Sequence, residues 1–185
     1  MSHSKPKYGF FDVDETIISV KSMFDFIDHI EKFETHRNRL VFRVKAIRRV
    51  IFLLSKLGVK RININKIFYY AFYGSNIDAL SEIGRDWFFR SSRKDNFYIK
   101  ETIDYLKELQ CKGYKIVFVS GSFRPCLEPL AESLGIEDLL CTELGINDRR
   151  EVCNLVQQAI GEKKADLVTM FLKQHNSNPD DCIAV

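Results

Sequence analysis

The chain has 185 residues, of which 45% are hydrophobic and 29% charged, with a formal net charge of +3 at pH 7. This length can hold one core domain with a modest insertion, and the composition is that of a soluble globular protein. The start of the chain has no apolar stretch after its basic residues, and the longest apolar run, Val50 to Leu54, is far too short to cross a bilayer. We therefore expect neither an export signal nor a membrane-spanning helix.

The cysteines indicate the compartment. They lie at positions 111, 126, 141, 153 and 182, are odd in number and form no C-x-x-C motif. Most fall in segments that we predict to be strands or helices, which is typical of small buried hydrophobic side chains in a reducing environment. The sequence therefore predicts a cytoplasmic protein.

The first predicted element is a short buried strand that ends in two carboxylates. In the segment YGFFDVDETI an apolar, aromatic run gives way to Asp12, Asp14 and Thr16. Ligands of open α/β sheets bind just beyond the carboxyl ends of such strands, so both aspartates are candidate site residues. The alternative is a strand that leaves the core in a polar turn. A calcium-binding EF-hand loop is excluded, because Ile17 and Met23 replace its glycine and glutamate.

A basic helical region follows, between residues 18 and 97. From Lys21 to Asp95 there are 16 basic and 8 acidic residues, whereas the rest of the chain is net acidic. Ser22 is predicted to cap a helix whose apolar face consists of Phe24, Ile27, Ile30 and Phe33. A longer stripe, with Gly58 as its stop, consists of Leu40, Val44, Ile47, Ile51 and Leu54. Further helices are predicted over 66–73 and 77–90.

The chain then returns to alternating helices and strands. A helix that carries Ile103, Leu106 and Leu109 is predicted to end near Gly113, and a strand covers 116–119. A helix to Leu134 and a short strand over 139–141 follow. Alternating units of this kind predict a parallel, doubly wound α/β sheet.

Two later segments carry candidate phosphate-binding residues. Ser120-Gly121-Ser122 follows the strand at 116–119, where a hydroxyl and unobstructed backbone N–H groups can bind an anionic oxygen. The alternative is a flexible loop, and Pro125 suits the first turn of the next helix. Gly161-Glu162-Lys163-Lys164-Ala165 opens a helical stretch. A lysine there can hold the Asp12 carboxylate ionised and offset the charge of a phosphate, although adjacent lysines are commonly solvated charges.

In this order the three segments resemble the motifs of the haloacid dehalogenase (HAD) superfamily, in its subfamily IB of small bacterial, phosphoserine-phosphatase-like enzymes. DVDET, VSGSF and GEKKA are similar to the first, second and third motifs. The resemblance implies a Rossmann-like core at 1–17 and 98–185 and an inserted α-helical cap of the C1 type at 18–97. It also implies that Asp12 is the nucleophile, Asp14 the general acid/base, and Ser120, Gly121 and Lys164 the phosphate-binding residues, with Lys163 as second choice.

The chemistry of these residue types agrees with the implied roles. A carboxylate such as Asp12 can form an acyl phosphate, which splits one difficult hydrolysis into two easier steps. Asp14 is placed to protonate the leaving alkoxide and then to activate water. The Asp12 carboxylate and the backbone carbonyl of Asp14 are hard oxygen ligands that suit Mg²⁺. The sequence thus predicts a Mg²⁺-dependent phosphomonoesterase, and we expect Thr16 to fix the turn.

The sequence departs from the family pattern at its end. Members carry a fourth motif, in which one or two acidic residues follow another buried strand and complete the metal site. Here Cys182 to Val185 is similar to that strand, and Asp180 and Asp181 precede it at the wrong end. We expect a chain truncated before this motif, which binds Mg²⁺ poorly and turns over slowly. The alternative is a catalytically impaired module that binds phosphate and has a regulatory role.

The basic region bears on the substrate. Between Thr35 and Ile77 there is no acidic residue, and the basic ones are Arg37, Arg39, Arg43, Lys45, Arg48, Arg49, Lys56, Lys60, Arg61 and Lys66. Three interpretations compete: these residues form a solvated face, they attract an anionic substrate, or they contact an acidic membrane surface or a phospholipid-like substrate. Nucleic-acid binding is a weaker alternative, because no recognition motif accompanies the charge. Phosphoserine phosphatases have a glutamate for the substrate amine where Lys21 aligns. We expect a small phosphomonoester without that amine, with a second anionic group.

Overall fold

In the computed structural model, which describes residues 6–34 and 38–185, the strands form one sheet. They are β1 (Tyr8–Phe11), β2 (Lys115–Phe123), β3 (Asp138–Ile146), β4 (Val152–Gln157) and β5 (Ile183–Ala184). Their spatial order is β4-β3-β2-β1-β5. All neighbouring pairs are parallel except β3 and β4, which are antiparallel. The predicted α/β fold with a parallel sheet is confirmed, with one antiparallel edge strand added.

The helices divide into two groups by their place in the chain. Between β1 and β2 lie α1 (Ser22–Phe33), α2 (Asn38–Lys56), α3 (Arg61–Tyr69) and α4 (Ile77–Ser91), with a 3-10 turn at Tyr70–Phe72, and then α5 (Lys100–Cys111). After β2 come α6 (Arg124–Ser133) and α7 (Glu162–Gln174), and a second 3-10 turn, Pro179–Asp181, precedes β5. No helix among the described residues is long and apolar enough to cross a membrane.

The sheet is covered by helices on both faces, as a doubly wound sheet requires. Phe11 and Phe118 belong to a large apolar cluster that contains the buried faces of α5 and α6. Phe10 and Val117 point the other way and pack with Phe171 of α7. Successive side chains of a strand alternate between the two faces, so one short apolar run supplies both halves of the core.

The hairpin of β3 and β4 was not predicted. β3 continues five residues beyond the predicted end at Cys141, and the chain returns through a turn at Asn147. The Asn147 side chain accepts the backbone N–H groups of Arg149 and Glu151, at 3.0 and 2.9 Å. Most residues of β4 are exposed or half-buried, so its sequence lacks the apolar run that marks a core strand. The Asx turn at Asn147 was the available signal.

The first helix differs from the prediction at both its cap and its face. Ser22 is the first helical residue and Lys21 occupies the cap position, so the prediction that Ser22 caps the helix is wrong. The buried face includes Met23, Phe26, Ile27 and Ile30, whereas Phe24 and Phe33 are exposed. The buried stripe is thus rotated by one position, because tertiary packing selects among apolar residues that periodicity alone treats as equal.

Only two cysteines fit the prediction of small buried hydrophobes. Cys126 and Cys141 are buried, Cys182 is half-buried, and Cys111 and Cys153 are exposed. The expectation of burial is wrong for the exposed pair, because Cys111 ends α5 and Cys153 lies on the outer side of β4. All five thiols are free.

The helical region is fixed to the sheet by close contacts around α6. The ring of Phe123, at the end of β2, lies 5.5 Å from that of Phe26 and 5.0 Å from that of Phe72. Gly84 of α4 lies against the backbone of Pro125, where an added Cβ would approach the Pro125 carbonyl oxygen to 1.8 Å. Only glycine allows α4 and α6 to lie this close.

We expect Gly84→Ala to destabilise the protein by about 1–3 kcal/mol, the usual cost of overpacking, because a backbone carbonyl must move to admit the methyl group. Urea unfolding followed by circular dichroism measures the change. Arg85→Ala, at the exposed neighbouring position, is the control and should leave stability nearly unchanged. Equal stability of the two variants would contradict the close approach of α4 and α6.

Candidate functional site

A cavity of about 250 Å³ opens at the carboxyl edge of the sheet, below the helical region. Its floor comes from the ends of β1 and β2 and the start of α7, and consists of Asp12, Asp14, Gly121, Ile160 and Lys164. Its mouth and roof consist of Glu15, Lys21, Met23, Phe24, Ile51, Ile64, Asn65 and Phe68. Among the residues singled out from the sequence, Asp12, Asp14, Lys21, Gly121 and Lys164 therefore line one cavity, whereas Ser120 does not.

Asp12 and Lys164 form an ion pair on the floor. The Lys164 Nζ lies 2.8 Å from one carboxylate oxygen of Asp12, and the other accepts the backbone N–H of Val13 at 2.7 Å. The side chain of Asp12 remains 43% exposed, so its carboxylate is accessible from the cavity. Lys163 points instead into a separate concavity beside Gln157 and Asp166. Of the two adjacent lysines, the structure brings Lys164 to the aspartates.

Asp14 lies deeper and is held by the start of α1. Its carboxylate accepts the backbone N–H of Ser22 at 3.0 Å, so Asp14 satisfies the helix end that Ser22 was predicted to cap. Burial raises the pKa of the Asp14 carboxyl above its ordinary value, and the charge of Asp12 adds to this. The hydrogen bonds from Ser22 and the charge of Lys164 oppose it. A raised pKa favours a carboxyl that can both donate and accept a proton.

The turn that follows β1 and leads towards α1 is closed by backbone hydrogen bonds. The carbonyl of Val13 accepts the N–H groups of Thr16, Ile17 and Ile18, at 3.3, 2.9 and 3.1 Å. Glu15 has a φ of 61°, in the left-handed region that non-glycine residues seldom adopt. Thr16 thus takes part in the turn through its N–H, and the turn sets the direction in which Asp14 leaves β1.

Ser120 and Gly121 have different places. Ser120 is fully buried, and its hydroxyl accepts the backbone N–H of Ser122 at 3.1 Å, so its side chain does not line the cavity. Gly121 does line it, and its carbonyl accepts the hydroxyls of Tyr69 at 2.7 Å and Thr142 at 2.9 Å. Because the Ser120 hydroxyl only accepts in this hydrogen bond, its own O–H can still donate, and the phosphate contact expected of it stays a prediction.

Tyr69 and Thr142 support the Gly121 loop from outside the cavity, and sequence reasoning missed both. Tyr69 reaches the Gly121 loop from α3, and burial keeps the pKa of its phenol well above the ordinary value, so it remains a neutral donor. Thr142 also accepts the N–H of Ala159, which joins the loop to the segment before α7. In the sequence Tyr69 is one of several aromatics and Thr142 is a strand residue, so neither carries a local signal.

The roof of the cavity is mainly apolar. Of the basic residues between 38 and 66 whose side chains are described, none lines this cavity; Arg37 lies outside the described residues. Arg48 instead pairs with Asp28 and Glu31, and Arg43 donates to the Ser75 hydroxyl. Lys21 lies at the mouth, 3.4 Å from Glu15, and both side chains are exposed. Apart from Lys21, the basic side chains described in the helical region therefore lie outside the cavity.

The oxygen atoms of the floor fit a magnesium ion. Mg²⁺ is commonly held by one or two carboxylates with water and substrate phosphate completing its shell, and Asp12 with the Asp14 carbonyl offers such hard ligands. Residues 6–34 and 38–185 contain no group of three or more His, Cys, Asp or Glu side chains arranged for a metal. The end of β5 lies beside this floor, since Val185 accepts the N–H of Asp12 at 3.0 Å. Asp180 and Asp181 lie at the opposite end of β5.

Replacing Asp14 by asparagine tests the electrostatic cost of the site. Because the pKa of Asp14 is raised in the folded state, its ionisation disfavours folding as the pH rises. With metal removed by EDTA, we expect Asp14→Asn to have a higher Tm than the wild type at about pH 7.5, and the difference to shrink towards about pH 4. Asp104→Asn, at an exposed position of α5, is the control. A lower Tm of Asp14→Asn at neutral pH would contradict the raised pKa.

Comparisons with known proteins agree with this architecture. The sequence model of the haloacid dehalogenase-like hydrolase family matches residues 10–185. A protein of unknown function from Bordetella pertussis Tohama I has a similar structure, with a TM-score of 0.77 at 15% identity over 97% of this chain and 79% of that chain. No curated protein sequence matches the chain.

Two further solved structures share the fold. A HAD family hydrolase from Salmonella enterica subsp. enterica serovar Typhi has a TM-score of 0.65 at 14% identity, over 97% of this chain and 56% of that chain. A substrate-bound phosphoserine phosphatase has a TM-score of 0.60 at 18% identity, over 98% of this chain and 78% of that chain. At such identities the likeness concerns the fold.

Proposed function

The chain belongs to the haloacid dehalogenase-like hydrolases, and we propose that it is a Mg²⁺-dependent phosphatase that hydrolyses a small phosphomonoester through an aspartyl-phosphate on Asp12. The observation that carries this proposal is the ion pair of Asp12 and Lys164 on the floor of a cavity that also holds Asp14. We assign the catalytic core to residues 1–17 and 98–185 and the cap to residues 18–97.

The floor residues divide the reaction between them. The accessible carboxylate oxygen of Asp12 attacks phosphorus, and the bond from phosphorus to the leaving oxygen breaks as Asp14 gives that oxygen its proton. In the second step Asp14 takes a proton from water, which attacks phosphorus and releases inorganic phosphate, so that Asp12 is regenerated. The raised pKa of Asp14 supports this double role.

The remaining residues bind and neutralise the phosphoryl group. Phosphoryl transfer depends mainly on positioning and on stabilising charge at the phosphate oxygens. Lys164 supplies a fixed ammonium to the phosphoryl group, and the loop at Gly121 supplies backbone N–H groups. Ser120 and Tyr69 hold that loop in place. Asp12 and the carbonyl of Asp14 would hold Mg²⁺, which would neutralise part of the phosphate charge.

The composition of the roof suggests the substrate class. Phe24, Ile51, Ile64 and Phe68 present apolar surface above the floor, and Asn65 is the polar roof residue. Lys21 would repel an ammonium group, and its exposed pairing with Glu15 weakens its attraction for a second anion. A phosphomonoester whose leaving group is apolar and lacks an amine, such as a phospholipid-like one, fits this roof best.

Asp12→Asn tests the nucleophile. Beryllium fluoride with Mg²⁺ mimics a phosphoryl group on an aspartate, so the wild type should form an adduct visible by ¹⁹F NMR. The asparagine variant should form no adduct. Its activity should fall by about 10²-fold or more, which is the contribution of one catalytic group. An adduct that persists in Asp12→Asn would place the nucleophile elsewhere. Adduct formation without turnover in the wild type would favour the phosphate-binding module instead.

The two adjacent lysines provide a matched pair of variants. We expect Lys164→Met to lower kcat/KM by about 10²-fold or more, because the phosphate charge is no longer offset. Lys163→Met should change it less than about twofold, since Lys163 lies in a different concavity. Equal losses in the two variants would show that proximity to Asp12 is not what matters.

A series of alkyl phosphates tests the roof. If the chain of the substrate packs under Phe24 and Phe68, kcat/KM should rise by about fourfold per added methylene, the factor that about 0.8 kcal/mol represents. Phe24→Ser should reduce this gain, whereas Phe89→Ser, at an exposed position outside the cavity, should not. A clear preference for phosphoserine over these substrates would overturn the proposed substrate class.

A further inference from the structure

The helix α2 has apolar side chains on two opposite faces. Its inner face packs Leu40, Val44 and Ile51 into the core of the helical region. On the outer side Phe42, Leu53 and Leu57 are 74%, 60% and 76% exposed. Their spacing of 11 and 4 residues places them on one line along the helix, with Leu57 directly after its last turn. Large apolar residues aligned in this way are a surface without a partner in the described chain.

Basic side chains flank this apolar line. Lys45, Arg49 and Lys56 are exposed on the same outer side, at positions 45, 49 and 56 of the helix. The Lys56 ammonium lies 4.4 Å from the centre of the Phe52 ring, and Phe52 is also exposed. No acidic residue occurs in the sequence between Glu34 and Asp78, so α2 itself offers nothing to neutralise these charges. The surface is both apolar and uniformly positive.

We propose that this outer face of α2, formed by Phe42, Lys45, Arg49, Leu53, Lys56 and Leu57, docks on the surface of a bilayer that contains anionic lipids. A helix that lies in the interface inserts its apolar side chains between the lipid head groups. The long stems of lysine and arginine let their charges stay at the level of the phosphates. Exposed apolar and basic residues on one face meet both requirements.

The charge pattern favours this partner over a second copy of the chain. A symmetric contact through the outer face would bring Lys45, Arg49 and Lys56 of each copy towards those of the other, with no acidic residue on either helix. Like charges at an interface oppose association. Nucleic acid would satisfy the charge, but Leu53 and Leu57 have no stacking surface to offer a base. An anionic bilayer satisfies both the charge and the aliphatic side chains.

This surface is separate from the proposed catalysis. Ile51, on the inner face of the same helix, lines the cavity, whereas the outer residues do not. Asp12→Asn should therefore bind vesicles as the wild type does, even though it is inactive. Docking and the proposed phosphatase activity can thus fail independently.

Co-sedimentation of the full chain with lipid vesicles tests the proposal. We expect binding to vesicles of phosphatidylcholine with about one third phosphatidylglycerol to be at least tenfold stronger than to phosphatidylcholine alone, since each basic side chain near an anionic surface contributes about fivefold. Raising the salt concentration should weaken it, because the charges are exposed. Equal binding to both vesicle types, or no binding to either, would overturn the proposal.

Matched variants assign the binding to the outer face. Lys45→Glu with Arg49→Glu, and separately Phe42→Ser with Leu53→Ser, should each lower vesicle binding about tenfold or more. The controls make comparable changes of charge and of apolar surface elsewhere on the protein: Lys107→Glu with Lys173→Glu, and Val156→Ser with Met170→Ser. They should bind as the wild type does. Thermal unfolding of all four double variants checks that they fold, which we expect for changes at exposed positions.

The same variants distinguish the competing occupant. Analytical ultracentrifugation without lipid measures self-association of the wild type. A concentration-dependent dimer that is lost in Phe42→Ser with Leu53→Ser, together with absent vesicle binding, would make the outer face an interface between copies and overturn the bilayer proposal. Binding that persists in both outer-face variants would also overturn it, because another surface would then be responsible.

Discussion

Parallel pairing of β1 with its two neighbours is the constraint on which the site depends. Phe11 pairs with Phe118 and Gly9 with Ile183, so β1, β2 and β5 all end at one edge of the sheet. At that edge backbone polar groups are released from the sheet, and side chains that follow the strands converge. Asp12, Gly121 and Val185 are brought together in this way, and the start of α7 adds Lys164.

The helical region between β1 and β2 packs on the sheet around this edge. The phenol of Tyr69 reaches from α3 to the carbonyl of Gly121, and the hairpin of β3 and β4 contacts the helical region from the side. Gly74 donates to the Val152 carbonyl at 2.7 Å, and Val152 donates to the Ser75 carbonyl at 2.9 Å. Because these contacts hold the roof above the floor, the shape of the cavity is set by packing as much as by the floor residues.

The role proposed for Asp14 implies a conflict between stability and chemistry. Burial disfavours the charge on Asp14, and the N–H of Ser22 and the ammonium of Lys164 only partly offset this. In the proposed role of general acid and base, Asp14 benefits from a raised pKa, whereas the folded state would be more stable without the buried charge. The left-handed backbone at Glu15, next to Asp14, is a second local cost at the same place.

The sequence by itself determined the elements that carry strong local signals. The apolar run before Asp12, the helical periodicity of residues 18–97 and the order of the three motifs predicted the fold, the family and four of the floor residues, Asp12, Asp14, Gly121 and Lys164. Periodicity and motif order are properties of the linear sequence, so they can be recognised without knowing what each element packs against.

Tertiary structure alone decided how these parts are used. It placed Lys164 rather than Lys163 beside Asp12, and it directed the hydroxyl of Ser120 to the backbone of its own loop. It also brought the phenol of Tyr69 to the Gly121 carbonyl and the carboxylate of Asp14 to the backbone N–H of Ser22 at the start of α1. It also directed the basic side chains of α2 away from the cavity. Each outcome depends on competition between distant partners for one hydrogen bond, charge or face, and a linear sequence does not specify which partner lies nearest.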